Sequence, residues 1–165
     1  MSSMRLFANQ TFRSLNTRNF RLFFLGQLTS QIGTWMQSIS IILVVNQLTH
    51  NGFALGVATA AQYLPVLILG AWGGVISDRV DRHRFMIATQ CAFLVVALGF
   101  TGLAFTHHLT LPLIYALSIT YGVITALDNP SRRALVVELV DERDVPNAVS
   151  LNSALMTGSR VVGPA

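Results

Sequence analysis

Lysine is absent from this 165-residue sequence, cysteine occurs once, and only 11% of residues carry charge, against roughly 25% in ordinary soluble domains. A single Cys91 excludes an internal disulfide and, set among apolar neighbours, reads as a small packing residue. The position of the missing charge says more. No Asp, Glu or Arg occurs between residues 22 and 77, and none between 85 and 127. With 52% hydrophobic residues and a mean hydropathy of +0.56, this is the composition of a membrane protein. As one helix at about 1.5 Å per residue, the first uncharged run would extend roughly 84 Å, nearly three times a hydrocarbon core of about 30 Å. It must therefore fold back on itself.

The turn is legible at Thr49-His50-Asn51-Gly52, which divides the run into spans at 22–48 and 53–77. The second run divides at Thr106-His107-His108, leaving spans at 85–106 and 110–128. Arginine then sets the orientation, because basic residues are retained on the cytoplasmic side. Arg5, Arg13, Arg18 and Arg21 precede the first span; Arg79, Arg82 and Arg84 separate the second and third; Arg132, Arg133 and Arg143 follow the fourth. The two opposite turns hold none. Residues 1–21, 78–84 and 129–145 are accordingly expected in the cytoplasm, with 146–165 opening a fifth helix. The net charge of +4 does not point to nucleic acid, since the arginines are split among membrane-flanking segments. The first apolar segment is too long for a signal-peptide core and is expected to be retained.

Charge returns abruptly at Gly74-Val75-Ile76-Ser77-Asp78-Arg79-Val80-Asp81-Arg82-His83-Arg84. This stretch resembles the loop signature between helices 2 and 3 of the major facilitator superfamily, G-x-x-x-D-[RK]-x-G-[RK]-x-[RK], with Asp81 in place of the usual glycine. Together with "LDNPSRRALVVELV" and "NAVSLNSALMTGSRVVGPA", it is similar to the branch holding macrolide-type drug exporters and siderophore exporters. The resemblance implies an all-α membrane protein, the amino-terminal part of a major facilitator-type bundle with four transmembrane helices and the start of a fifth. It also implies a conformational latch on Gly74, Asp78, Arg79, Arg82 and Arg84, in which Asp78 pairs with Arg132 or Arg133. Gly70 and Gly74, at i and i+4, offer a small-residue surface for a close helix neighbour.

Within the spans, Gln27, Gln31, Thr34 and Ser38 fall within about a 60° arc of helix 1, and Tyr115, Ser118, Gly122 and Thr125 form a looser stripe on helix 4. Such stripes turn toward protein or water, so both are expected to line a cavity or to bond between helices. Helix 2 adds Gln62, Tyr63 and Pro65; helix 3 is apolar apart from Gln90. Asp128 is the one acid near a span and is a candidate for coupling or for a helix-end contact. Arg160, set in an apolar stretch, is expected either to function or to pair with a carboxylate. His50, His107 and His108 lie in turns and do not make a metal site.

The sequence thus points to part of a secondary active transporter that exports a small drug- or siderophore-like amphipathic molecule. Its expected partners are the lipid bilayer, the substrate and further carboxy-terminal helices; no cofactor is called for. A family member uses two six-helix halves, so the chain is expected to be a fragment or to pair with other subunits. The alternative is a small membrane scaffold that transports nothing. No catalytic triad, metal cluster or phosphate loop supports an enzyme.

Overall fold

The computed structural model describes residues 13–77 and 79–162. Among these residues there is no strand. Five helices follow in order: α1 Arg18–Thr49, α2 Gly52–Ser77, α3 Arg82–Phe105, α4 Leu111–Glu138 and α5 Val145–Val162. Short 3₁₀ turns at Arg13–Asn16 and Glu142–Asp144 precede α1 and α5. By length and composition α1 to α4 can each cross a membrane. Two compact units result, one of residues 37–133 and one of residues up to 36 together with those from 134 onward.

The histidines that punctuate the sequence do a backbone job. His50 and His107 adopt positive φ, 49° and 56°, the left-handed turn that ends helices and that histidine tolerates better than most side chains. The His50 N–H donates to the Asn46 carbonyl (2.9 Å), and the His108 N–H donates to that of Leu103 (3.1 Å). Asn51 then starts α2 by accepting the Phe53 N–H at 2.9 Å. Asp81, the departure from the loop signature, starts α3: it accepts the Arg84 N–H at 3.0 Å. That bond holds its carboxyl below the ordinary range. The cap is therefore complete above the usual carboxylate pKa and lost as pH falls through the lowered one.

In the unit of residues 37–133, Ile41, Val45, Ala54, Ala58, Phe100 and Ile114 form one apolar core, and Val96, Tyr121 and Ile124 a second. The Phe93 and Tyr121 rings meet at 5.3 Å. Apolar packing alone does not bring helices together in lipid, where the solvent is as apolar as leucine. Glycine does it here. A Cβ on Gly122 would strike the Gln62 carbonyl oxygen and come within 3.0 Å of Pro65 Cγ; one on Gly73 would strike the Ala126 carbonyl oxygen. Gly70 and Gly74, the pair expected to form the small-residue surface, meet nothing within 4 Å. The close face of α2 is thus rotated by one residue to Gly73.

The fourth span, expected over residues 110–128, continues to Glu138, so the first part of the expected 129–145 loop is helix. Asn129-Pro130 suggests a stop, but Pro130, which lacks the N–H that would bond the Ala126 carbonyl and crowds that carbonyl with its ring, lies inside the helix. That carbonyl is the one against which Gly73 packs, a site for a Cα–H···O contact. Beyond it, Ser131, Arg132, Leu135 and Val136 are buried at helical spacing.

In the other unit, Phe20 is fully buried with Val136, Ala148 and Leu151, against Leu15, Phe23 and Phe24. Ser14, also fully buried, donates from its N–H and hydroxyl to Asn147 Oδ1 (3.1 and 2.8 Å). Arg13 Nε lies 2.9 Å from Asp144 Oδ1.

Gly122→Ala is expected to lower stability by about 1–3 kcal/mol, the usual cost of overpacking, whereas Gly102→Ala, with nothing within 4 Å, should be neutral or stabilising. Thermal unfolding in detergent reads both; an unchanged melting temperature for Gly122→Ala contradicts the close contact.

Candidate functional site

Asp128 and Arg132 lie one turn apart on α4, and both are buried, at 1% and 5% exposure. Arg132 Nη2 donates to Asp128 Oδ2. The acid precedes the base by four residues, the favourable order on a helix. α3 supplies the rest: Thr89 Oγ1 donates to Asp128 Oδ1 at 2.6 Å, and Gln90 Nε2 approaches the same oxygen at 3.3 Å. The carboxylate is therefore bonded through both oxygens. The guanidinium is not: among the described residues, Arg132 Nε and Nη1 are buried without a hydrogen-bond partner. Desolvating two ions costs several kcal/mol each, and their attraction offsets this only when the remaining donors are also met.

The other candidates read from the sequence are placed as follows. Gln27 and Gln31 are buried and Thr34 and Ser38 half-buried, so the helix 1 stripe faces protein; Gln27 Oε1 has no partner among the described residues. On α4, Ser118 is fully buried with no hydroxyl partner among the described residues, and Tyr115 Oη donates to the Ala54 carbonyl at 3.4 Å. Thr125 donates to its own helix at the Tyr121 carbonyl, 2.8 Å away. These three, with Gly122, thus sit at helix contacts within the unit. Arg79, Arg84 and Arg133 are exposed, and Arg82 and Gly74 half-buried. Arg84 Nε lies 3.9 Å from Asp81. Asp78 lies outside the described residues. Arg132, one of its two expected partners, already bonds Asp128.

Arg160 has no carboxylate partner among the described residues. Its guanidinium lies over the Trp35 ring, 5.5 Å from the centroid. Thr89 escaped sequence reasoning altogether: a threonine among apolar residues of helix 3 carries no signal until α4 is placed beside it.

Long apolar helices with charge buried between them define a multi-pass membrane protein. Over residues 9–165 the sequence matches the transmembrane secretion effector family, and the chain belongs to that family of major facilitator transporters. It is 29% identical over 152 residues to the Staphyloferrin A transporter of Staphylococcus aureus, covering 88% of this chain and 37% of that protein. It is 26% identical over 140 residues to Macrolide efflux protein A of Streptococcus pyogenes, covering 85% and 35%. The chain thus spans little more than a third of the length of these relatives. No solved structure matches it.

Removing Asp128 strands a guanidinium that cannot shed its charge, whereas removing Arg132 leaves a carboxyl that can take up a proton. Asp128→Leu is therefore expected to destabilise by about 3–5 kcal/mol and Arg132→Leu by less, with the double variant closer to wild type than Asp128→Leu. A double-mutant cycle on thermal unfolding checks this; additive effects contradict the pairing.

Proposed function

We propose that this chain supplies the amino-terminal helices of a secondary active exporter, which moves a small amphipathic molecule across the cell membrane by alternating access. The observation that carries this reading is the half-satisfied Asp128–Arg132 pair inside the bundle. Ionisable groups buried between membrane helices are costly and mark pathways or couplings in membrane proteins. Membership in a transporter family supports the same reading and speaks against an enzyme.

In this proposal the amino terminus is cytoplasmic, as the arginine asymmetry requires. Asp78, Gly74, Arg79, Arg82 and Arg84 form a cytoplasmic latch with Arg133, which is exposed, or with Arg132, which also bonds Asp128. Asp128, bonded to Arg132, is the group assigned to coupling or to an ion pair. Substrate enters from the α1 side, where Gln27, Gln31, Thr34 and Ser38 mark the polar face.

Efflux per unit of membrane-inserted complete protein tests the latch: Asp78→Asn and Arg133→Ala should each reduce it several-fold with insertion intact. Reporters fused after Arg84 and Arg143 should read cytoplasm, and those at Asn51 and His108 the opposite side. Wild-type efflux by Asp78→Asn removes the latch, and a cytoplasmic signal at Asn51 overturns the orientation.

A further inference from the structure

We propose that Arg13, Ser14 and Phe20 form a clasp that fastens the segment before α1 to the start of α5 and stays closed through the transport cycle. This inference rests on the exporter reading and adds to it a joint that does not open.

The chain reaches the joint without slack on either side. The Thr17 N–H donates to the Ser14 carbonyl at 3.2 Å, closing the first 3₁₀ turn, and the Thr17 carbonyl accepts the Arg21 N–H at 2.9 Å, which starts α1. Opposite, the Asp144 N–H donates to the Asp141 carbonyl at 2.8 Å, and that turn runs directly into α5 at Val145. Each half of the clasp is thus a short turn continuous with a helix.

The polar half is centred on Ser14, which is fully buried. Its N–H donates to Asn147 Oδ1 at 3.1 Å, and its hydroxyl lies 2.8 Å from that oxygen and 3.1 Å from the Asp144 carbonyl oxygen. A hydroxyl has one hydrogen to donate, so with two acceptors in reach it stays bonded whichever way it turns. Arg13 Nε lies 2.9 Å from Asp144 Oδ1. That pair is partly exposed and adds direction more than strength.

Phe20 supplies the apolar half. It is fully buried at the start of α1, clustered with Val136 from the end of α4 and with Ala148 and Leu151 of α5, and its ring stands 6.3 and 6.1 Å from those of Phe23 and Phe24. Elements that open in function have few buried apolar contacts and solvated hydrogen bonds. The clasp has the opposite character. Opening it would return a phenylalanine ring to water and break bonds that bridge 133 and 130 positions of sequence. All these residues belong to one compact unit, so the entries of α1 and α5 move together or not at all.

Cross-linking tests this in the complete protein carrying Cys91→Ala, Ser14→Cys and Asn147→Cys, with each single cysteine as control. Ethanediyl bismethanethiosulfonate should join the pair nearly completely in native membranes, and efflux of ethidium or erythromycin per unit of inserted protein should match that of the reduced protein. Arg13→Cys with Asp144→Cys is the second pair should the first fail to fold. A several-fold loss of efflux on cross-linking, restored by dithiothreitol, overturns the proposal, because the joint must then open. So does failure of both pairs to cross-link. If wild type exports neither compound, the exporter reading fails by itself, and the clasp is decided by thermal unfolding in detergent. Asn147→Leu, which leaves the buried Ser14 donors facing a side chain that cannot accept, should lower the melting temperature by several degrees and cross-linking should raise it; no change in either contradicts the clasp.

Discussion

Hydrocarbon offers no hydrogen-bond partner, and nearly every feature of this chain answers that constraint. Exposed hydroxyls turn back on their own helices: Thr29, Thr59 and Thr120 each donate to the carbonyl four residues earlier. Helix ends are closed by left-handed histidines or capped by Asn51 and Asp81. The carboxylate of Asp128 is bonded on both oxygens. Against this background, the two nitrogens of Arg132 that have no partner among the described residues are an exception.

The same constraint explains why glycine and proline fall where they do. Without a hydrophobic force between helices in lipid, α2 and α4 need close approach, and Gly73 and Gly122 permit it at backbone level. Pro130 frees the Ala126 carbonyl, and Gly73 packs on it. This places Pro130 two residues from Asp128 and Arg132, where the backbone is least bound to itself. The contact that joins the helices and the buried ion pair therefore share one stretch of α4.

Much of the fold was legible because absence of charge is a strong signal. The runs at 22–77 and 85–127 announce four crossings, and the polar turn at residues 49–52 marks where the first divides. What was not legible depended on a neighbour. Asn129-Pro130 reads as a stop unless Gly73 is known to lie against Ala126. Thr89 is silent until Asp128 faces it, and Arg132, expected from the loop to meet Asp78, is seen to bond Asp128 only once α4 continues to Glu138. Ser14 and Arg13, read as part of a plain cytoplasmic segment, bond Asn147 and Asp144, more than a hundred residues away. Periodicity reports which face of a helix is polar; it does not report which polar face is answered.

The central claim is that the polar exposed face of α5 meets water in the complete protein, while the apolar exposed face of α3 meets lipid. Cysteine accessibility measures this directly. In a Cys91→Ala background of the complete protein in native membranes, Ser153→Cys and Thr157→Cys on α5 are predicted to react with a small water-soluble maleimide. Val95→Cys and Leu98→Cys, on the exposed apolar face of α3, are predicted to stay unlabelled until the membrane is dissolved. Labelling of the α3 positions with protection of the α5 positions would contradict the account.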